Sequence, residues 1–421
     1  MYELTTLENG LRVLTVSVPY VQSVSMGFFL RVGSRCESDA LCGASHFIEH
    51  MFFKGTKRRP TARDVADTIE GRGGILNGST GVESTLLWAK VAAAHVPEAM
   101  DLLSDMLLNS TFDPHELEKE RAVIIEEVRY EVDTPDSLVE ILASRLQWPD
   151  HPLGREIAGS AETIGSVSRE ALLQYRQEHY LPGLAVLAVA GQVRHSKAVG
   201  LARSLLSDWR PGPSPACAPA PADSNGPRLH VQYKDTEQSH IGLSFTGLHR
   251  GHPDRHVLGL LTVILGGGMR ARLFQQVRET LGLAYSIDCY TDQFEDTGSV
   301  GIYAGVAPES ARLAVQAILG ELDRLRQEAV PEDELQKAKD FSRGRLALAL
   351  EDPTALASWY ARQELLGPDV LDPGKVMAGD DKVRARDIQR LAQALFRPER
   401  LSLAVVGPER DDDQFYRAAH F

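Results

Sequence analysis

The sequence is poor in cysteine, in long apolar runs and in positive charge, and each shortage excludes a class of protein. Its four cysteines, Cys36, Cys42, Cys217 and Cys289, are scattered without a Cys-x-x-Cys pair, which predicts reduced thiols in a cytosol-like compartment and no disulfide framework. No uncharged apolar run approaches the ~18 residues that span a bilayer, and the N-terminus has no signal-peptide pattern. These absences predict a soluble, cytoplasmic protein.

The charge balance and the length narrow the class further. A formal net charge of −13 and a pI near 5.5 argue against nucleic acid or an anionic membrane as the main partner. With 43% apolar and 24% charged residues, the composition is that of an ordinary globular protein. A chain of 421 residues exceeds a single typical core, so about two to four domains are expected.

A Pro/Ala-rich run over residues 211–227 reads as an extended linker. The segments on its two sides resemble each other at an offset of about 216 residues. The matching segments are Ala89–Val91 with Ala304–Val306, Asp113–Leu117 with Val330–Leu335, and Leu181–Val186 with Arg397–Ser402. We therefore predict an α+β fold of two duplicated halves in α/β layers, over residues 1–210 and 228–421.

Local patterns give a coarse order of elements. Alternating apolar residues and turn or cap residues mark strand and helix boundaries. They predict strands over Leu11–Val16 and Val24–Leu30, helices over Thr61–Glu70 and residues 95–109, and one strand from Leu76 through Val91. In Asp113-Pro114-His115-Glu116 the spacing of Asp, Pro and Glu predicts the start of a further helix.

The segment His46-Phe47-Ile48-Glu49-His50 carries the first candidate chemistry. Residues four apart on a helix share a face, so His46 and His50 can direct two imidazoles to one point. Two neutral imidazoles, one more protein ligand and a water form a catalytic zinc site, and Glu49 could serve as general base. A plain helix surface explains the pattern equally well unless a third ligand exists.

A helix after Asp113 offers that ligand. Glu120 and Glu127 are seven residues apart and share a helix face, and Glu126 competes with Glu127 for the ligand role. The alternative is a solvated, glutamate-rich helix surface. The second half has no histidine or glutamate at the positions equivalent to His46, Glu49 and His50, so only the first half can bind the metal.

His46–His50 followed by these glutamates resembles the inverzincin metallopeptidases of the pitrilysin/insulinase family. Within it the chain looks most like the processing-peptidase branch, such as the mitochondrial processing peptidase β-subunit. Nearly the whole chain takes part in the resemblance, including Met51–Thr56, Gly73–Asn77, His151–Arg155 and Arg278–Tyr285. The resemblance implies that His46, His50 and Glu127 bind zinc, that Glu49 is the general base and that Glu120 orients the site through a hydrogen bond.

The resemblance also assigns roles beyond the zinc ligands. It implies that Arg278 holds a substrate carbonyl and that Tyr285 donates to the developing oxyanion. It implies that Asn77 binds substrate in an edge strand that usually reads Asn-Ala-x-Thr, a pattern from which Gly78 departs. The Gly266–Gly268 run resembles a substrate-handling loop, with a plain turn as the alternative.

Taken together, the sequence predicts a zinc endopeptidase that cleaves unfolded or extended peptides in a chamber between the two halves. Zinc is the expected cofactor, and Glu49 would move a proton from the activated water to the leaving amine. The alternatives are a non-catalytic core subunit and the active half of an obligate heterodimer. We expect a homodimer, or a heterodimer with a homologous subunit, and no nucleic-acid or membrane partner.

Overall fold

A computed structural model describes residues 2–221, 227–410 and 412–418 of the chain. It divides into two compact units. The first unit comprises Met1–Arg129, Glu156–Ala218 and Leu348–Leu371, and the second comprises Tyr130–Arg155, Pro219–Ala347 and Asp372–Phe421. One of the crossings between the units, from Ala218 to Pro219, lies inside the predicted linker, of which residues 211–221 form neither helix nor strand. Residues 222–226 of that linker lie outside the described residues.

Groups of consecutive strands and groups of consecutive helices follow one another along the chain. The strands are β1 (Tyr2–Thr6), β2 (Arg12–Ser17), β3 (Ser23–Leu30), β4 (Ile75–Thr80), β5 (Thr85–Ala92), β6 (Ala185–Gly191), β7 (Arg228–Tyr233), β8 (Ser239–Thr246), β9 (Ala284–Gln293), β10 (Gly298–Val306) and β11 (Leu401–Gly407). The α-helices are α1 (Ala44–Phe52), α2 (Ala62–Ile69), α3 (Val96–Asn109), α4 (Pro114–Asp133), α5 (Pro135–Gln147), α6 (Ala161–Ser166), α7 (Arg169–His179), α8 (His195–Leu206), α9 (Arg255–Gly266), α10 (Ala311–Gln327), α11 (Glu332–Ala349), α12 (Pro353–Leu366), α13 (Pro373–Asp381), α14 (Ala385–Leu395) and α15 (Asp413–Ala418). In these ranges no helix combines the length and the apolar composition that crossing a bilayer requires.

The first unit is built on a sheet with the strand order β1-β2-β6-β3-β5-β4. Only β2 and β6 pair in parallel among these described strands. Strand β6 is buried along its whole length. Leu187 and Val189 join the core that contains α1 and α3, whereas Ala188 and Ala190 pack with α12 on the other face. A strand covered on both faces reads as continuously apolar, which explains its composition.

The second unit repeats this arrangement with the strand order β7-β11-β8-β10-β9. Here β7 and β11 form the parallel pair, in the positions that β2 and β6 take in the first sheet. Strand β11 is likewise buried throughout. Leu403 and Val405 pack with α9 and α10, and Ala404 and Val406 pack with α5.

The two sheets confirm the predicted duplicated α+β fold. The strands β2, β3 and β6 begin about 216 residues before β7, β8 and β11, the offset found in the sequence. The compact units nevertheless differ from the two halves that a division at the linker would give, because each unit includes one segment from the other half. Helix α5 precedes the linker but packs on the second sheet, and α12 follows it but packs on the first. The exchange supplies the second apolar cover that β6 and β11 need.

Most of the predicted elements are present within a residue or two of their expected bounds. The predicted single strand from Leu76 through Val91 is wrong, because the segment forms the hairpin β4–β5. Gly81 donates its backbone N–H to the Ser84 carbonyl at 2.8 Å and closes the turn. Residues 77–84 read Asn-Gly-Ser-Thr-Gly-Val-Glu-Ser and have no apolar alternation that would separate strand from turn, so the pattern did not show the hairpin.

The predicted reduced state is wrong for two of the four cysteines. Cys36 and Cys217 form a disulfide across 181 residues of sequence, whereas Cys42 and Cys289 are thiols that take no part in a disulfide. Close to the bond, the Arg35 guanidinium donates to the Ala218 carbonyl at 3.0 Å. The chain after α8 therefore returns to the loop before α1, a tertiary contact that cysteine spacing does not reveal.

Removing the disulfide with Cys36→Ser is expected to lower the free energy of unfolding by about 2–4 kcal/mol, because the unfolded chain loses a long covalent loop. Thermal unfolding of this variant and of a Cys42→Ser control measures the effect. Alkylation of the unreduced, denatured protein should label only Cys42 and Cys289. Labelling of all four would show that the bond does not form.

Candidate metal centre

Helix α1 presents His46 and His50 on one face, with their ring centroids 4.6 Å apart. The opposite side of the helix is buried in the core of the first unit. At its start, the buried carboxylate of Glu37 accepts hydrogen bonds from the backbone N–H groups of Gly43 and Ser45, each at 2.7 Å. These N–H groups have no partner within the helix, and negative charge is favourable there. Glu37 thus fixes the start of the helix that carries both histidines.

Helix α4 brings a carboxylate to the histidine pair. The Glu127 Oε2 atom lies 3.9 Å from His46 Nε2 and 3.6 Å from His50 Nε2. One candidate ligand atom from each of the three residues falls within 4.8 Å of the others. Glu126 instead lies on the exposed side of α4, paired with Arg129 at 2.5 Å. Of the two glutamates left open by spacing, Glu127 lies at the imidazoles.

A second carboxylate of α4 sets the orientation of His50. Glu120 is buried, and its Oε2 atom lies 3.0 Å from His50 Nδ1. Because a carboxylate only accepts hydrogen bonds, His50 Nδ1 carries the proton and Nε2 keeps its lone pair toward Glu127. The other Glu120 oxygen pairs with Lys54 Nζ at 2.6 Å. Lys54 and Glu120 together hold the tautomer that a metal ligand requires.

His46 is also in the form that binds metals. Burial, reinforced by the neighbouring His50, lowers the pKa of His46 to about 4, so the ring is neutral at neutral pH. Its Nδ1 atom is buried without a hydrogen-bond partner among the described residues. Two imidazole nitrogens and one carboxylate oxygen form a donor set typical of catalytic zinc. The residues present therefore fit the expected ion.

Glu49 lies on α1 between the two histidines in sequence and is only 9% exposed. Burial raises the pKa of Glu49, the charge of Glu127 adds to the rise, and the Thr80 hydrogen bond and His50 oppose it. The Thr80 hydroxyl donates to Glu49 Oε2 at 2.5 Å. A carboxyl group whose pKa is raised toward the working pH is suited to exchange protons with a substrate.

Arg278 and Tyr285 lie beside each other in the second unit. Arg278 belongs to a π-helical segment, Phe274–Thr280, and Tyr285 is near the start of β9. The Arg278 guanidinium lies 4.8 Å from the Phe274 ring centroid and 5.8 Å from that of Tyr285. Gly282, with a φ of 64°, makes the turn between them. Tyr285 is 74% exposed, so its hydroxyl is accessible.

Asn77 lies on β4, the edge strand of the first sheet. Its side chain is on the exposed face of the strand, and its Oδ1 atom accepts the Gly78 backbone N–H at 2.8 Å. An exposed edge strand is available to pair with an extended chain. A substrate-binding role for Asn77 remains a prediction.

The Gly266–Gly268 run ends helix α9. A Cβ atom at Gly266 would lie 2.6 Å from the Cβ atom and the backbone nitrogen of Cys289 on β9, and Gly268 has a φ of 112°. Close packing and a left-handed turn therefore each require glycine here. These contacts give the run a structural role, and substrate handling by this loop stays a prediction.

Three supporting residues did not emerge as site residues from the sequence. Lys54 lies two residues beyond the end of α1 and pairs with Glu120 on α4, so helical spacing carried no signal for it. Glu37 acts from a loop, and Thr80 acts from a strand that packs on α1 only in the folded chain. Neither contact has a periodic sequence pattern, so both require the tertiary structure to be seen.

Comparisons with protein families match both halves of the chain. The family described as Insulinase (Peptidase family M16) matches residues 12–161, a range that contains the histidine pair and Glu127. The family described as Peptidase M16 inactive domain matches residues 166–341. The second match thus falls mainly on the half without the His-x-x-Glu-His motif.

Individual relatives agree with these matches over nearly the full length. An uncharacterized zinc protease of Streptomyces coelicolor is 35% identical over 413 residues, covering 97% of this chain and 90% of that protein. One of Bacillus subtilis is 35% identical over 407 residues, with 96% and 97% covered. A Helicobacter pylori protease structure has the same fold, with a TM-score of 0.91 at 22% identity over 96% of this chain and 99% of that one. The chain therefore belongs to peptidase family M16, the insulinase family.

Proposed function

We propose that this chain is a zinc-dependent endopeptidase that cleaves unfolded or extended peptides. The observation that supports it is the convergence of His46, His50 and Glu127, with the buried Glu49 on the same helix. When bound there, zinc would supply Lewis-acid chemistry, making a water molecule acidic and polarising the scissile carbonyl. The names of the relatives, zinc proteases, agree with this chemistry.

Glu49 is proposed to move the protons of the reaction. Its carboxylate accepts a proton from the attacking water and then donates it to the leaving amine of the cleaved peptide bond. Thr80 holds Oε2, so Oε1 is the oxygen left to exchange the proton. Glu120 and Lys54 keep His50 in one tautomer throughout and take no part in the proton transfer.

Substrate contacts are proposed from two elements. The edge strand β4, with Asn77, would pair with the backbone of an extended peptide, which gives affinity without strong sequence preference. Arg278 would hold a substrate carbonyl, and the Tyr285 hydroxyl would donate to the scissile carbonyl oxygen as it gains negative charge. The exposure of Tyr285 and its contact with Arg278 are compatible with these roles.

The two alternatives to an enzyme that acts alone are a non-catalytic core subunit and the active half of an obligate heterodimer. A non-catalytic core subunit has no need of a complete donor set with a buried carboxylate beside it, so the observed geometry favours the enzyme. We propose that a homodimer is the working form. The active half of a processing-peptidase heterodimer would carry the same donor set and would need a homologous subunit for activity.

Metal removal tests the proposed function directly. The chain, purified alone, should cleave a quenched unfolded peptide, lose this activity on dialysis against a chelator and regain it with about one equivalent of zinc per chain. Inactive protein that regains activity only with a homologous subunit would support the heterodimer. Zinc-loaded protein that stays inactive both alone and with a homologous subunit would contradict the peptidase.

A further inference from the structure

We propose that Thr80 is a positioning residue for Glu49 and holds its carboxylate in a gap left by Gly78. The inference rests on the proposed function, because it assigns Thr80 a part in the proton transfer by Glu49. The contact joins an edge strand to the helix that carries the metal ligands. It therefore couples the substrate-binding edge of the sheet to the acid–base residue.

The alternation of β4 places the relevant residues on one face. Along Ile75–Thr80, exposed and half-buried residues alternate. Gly78 and Thr80 are two residues apart, so they share the half-buried face, and β4 packs with α1. Asn77 and Ser79 lie on the exposed face. Only one face of the strand can therefore act on Glu49.

Thr80 supplies the one hydrogen bond that the Glu49 carboxylate accepts within the described part of the chain, at 2.5 Å to Oε2. A glutamate side chain has several rotatable bonds, and burial alone does not select one position for its oxygens. A hydrogen bond to a charged acceptor is among the stronger ones in proteins. Fixing Oε2 leaves Oε1 in a defined place to receive the proton.

Gly78 supplies the space in which this carboxylate lies. A Cβ atom at Gly78 would be 2.7 Å from Glu49 Oε1, 3.0 Å from its Cγ and 3.1 Å from its Cδ. All three close contacts are with one side chain, so Glu49 would move before the backbone did. The glycine that departs from the usual Asn-Ala-x-Thr pattern thus lets Glu49 approach the strand more closely than an alanine would.

Thr80→Val tests the role because it keeps the shape of the side chain and removes the donor. We expect kcat to fall roughly tenfold, with KM and zinc content unchanged, and Thr80→Ser to restore most of the activity. Gly78→Val, which displaces the carboxylate, should lower kcat by about 100-fold. Thr262→Val is the matched control, since it removes a hydroxyl that donates to the Leu258 carbonyl on α9. Equal kcat for Thr80→Val and Thr262→Val would overturn the proposal.

A second measurement uses metal-free protein and needs no activity. Thermal unfolding midpoints are compared for wild type, Thr80→Val, Glu49→Ala and the double variant. If the two side chains interact, the shifts are not additive, and Thr80→Val has a smaller effect once Glu49 is absent. Additive shifts would overturn the contact itself. An inactive, zinc-loaded wild type with non-additive shifts would instead overturn the peptidase and keep the contact, which separates the two failures.

Discussion

Glu49→Gln is expected to lower kcat for peptide cleavage by about 10²- to 10⁴-fold, the range that general acid–base groups contribute. The amide has the shape of the carboxylate but cannot accept the proton of the attacking water. Its oxygen can still accept the Thr80 hydrogen bond, so the side chain should stay in place. Steady-state kinetics on an unfolded peptide measure the loss, and zinc content should not change.

The matched control for this variant is Glu126→Gln. Glu126 lies on the exposed side of α4 and pairs with Arg129, and an exposed pair contributes little to stability. The control should therefore keep kcat, zinc content and unfolding midpoint close to those of the wild type. If Glu49→Gln kept wild-type kcat with zinc bound, Glu49 would not be the base.

Tyr285→Phe is expected to lower kcat by about 10²- to 10³-fold, because one hydrogen-bond donor to the developing oxyanion is lost. The side chain is 74% exposed, so removal of its hydroxyl should change the free energy of unfolding by less than about 0.5 kcal/mol. Zinc binding should be unaffected, since the candidate ligands are all in the first unit. Kinetics with metal analysis separate these effects.

Tyr20→Phe provides the control for this second variant. Tyr20 is 87% exposed and belongs to no element of the proposed site. The same chemical change there should leave kcat unaltered. Wild-type turnover in Tyr285→Phe would remove the Tyr285 hydroxyl from the proposed chemistry and leave Arg278 as the second unit's proposed contact to substrate.

The sequence was sufficient where one local pattern determines the result. Helical spacing placed His46 and His50 on one face, and a constant offset revealed the duplication. The choice between Glu126 and Glu127 was not local. Both lie on α4, and only its packing against α1 turns Glu127 toward the imidazoles while Glu126 pairs with Arg129.

Apart from the local β4–β5 hairpin, the features that the sequence missed are tertiary contacts. The Cys36–Cys217 bond depends on the return of the chain after α8, and the exchange of α5 and α12 depends on covering both faces of each sheet. The spacing of residues along the chain predicts neither the disulfide nor the exchange of the two helices. Thr80 is the threonine of the segment that resembles the Asn-Ala-x-Thr pattern, but its partner Glu49 could be identified only from the packing of β4 on α1.

Metal analysis of the purified wild type tests the central claim most directly. Elemental analysis should find about one zinc ion per chain, and His50→Ala, which removes one ligand, should bind far less under the same conditions. Because α1 and α4 hold the candidate ligand atoms within 4.8 Å of one another, zinc should bind with little change in far-UV circular dichroism. A folded wild type that binds no zinc at concentrations saturating ordinary zinc enzymes would contradict the metal centre and the peptidase built on it.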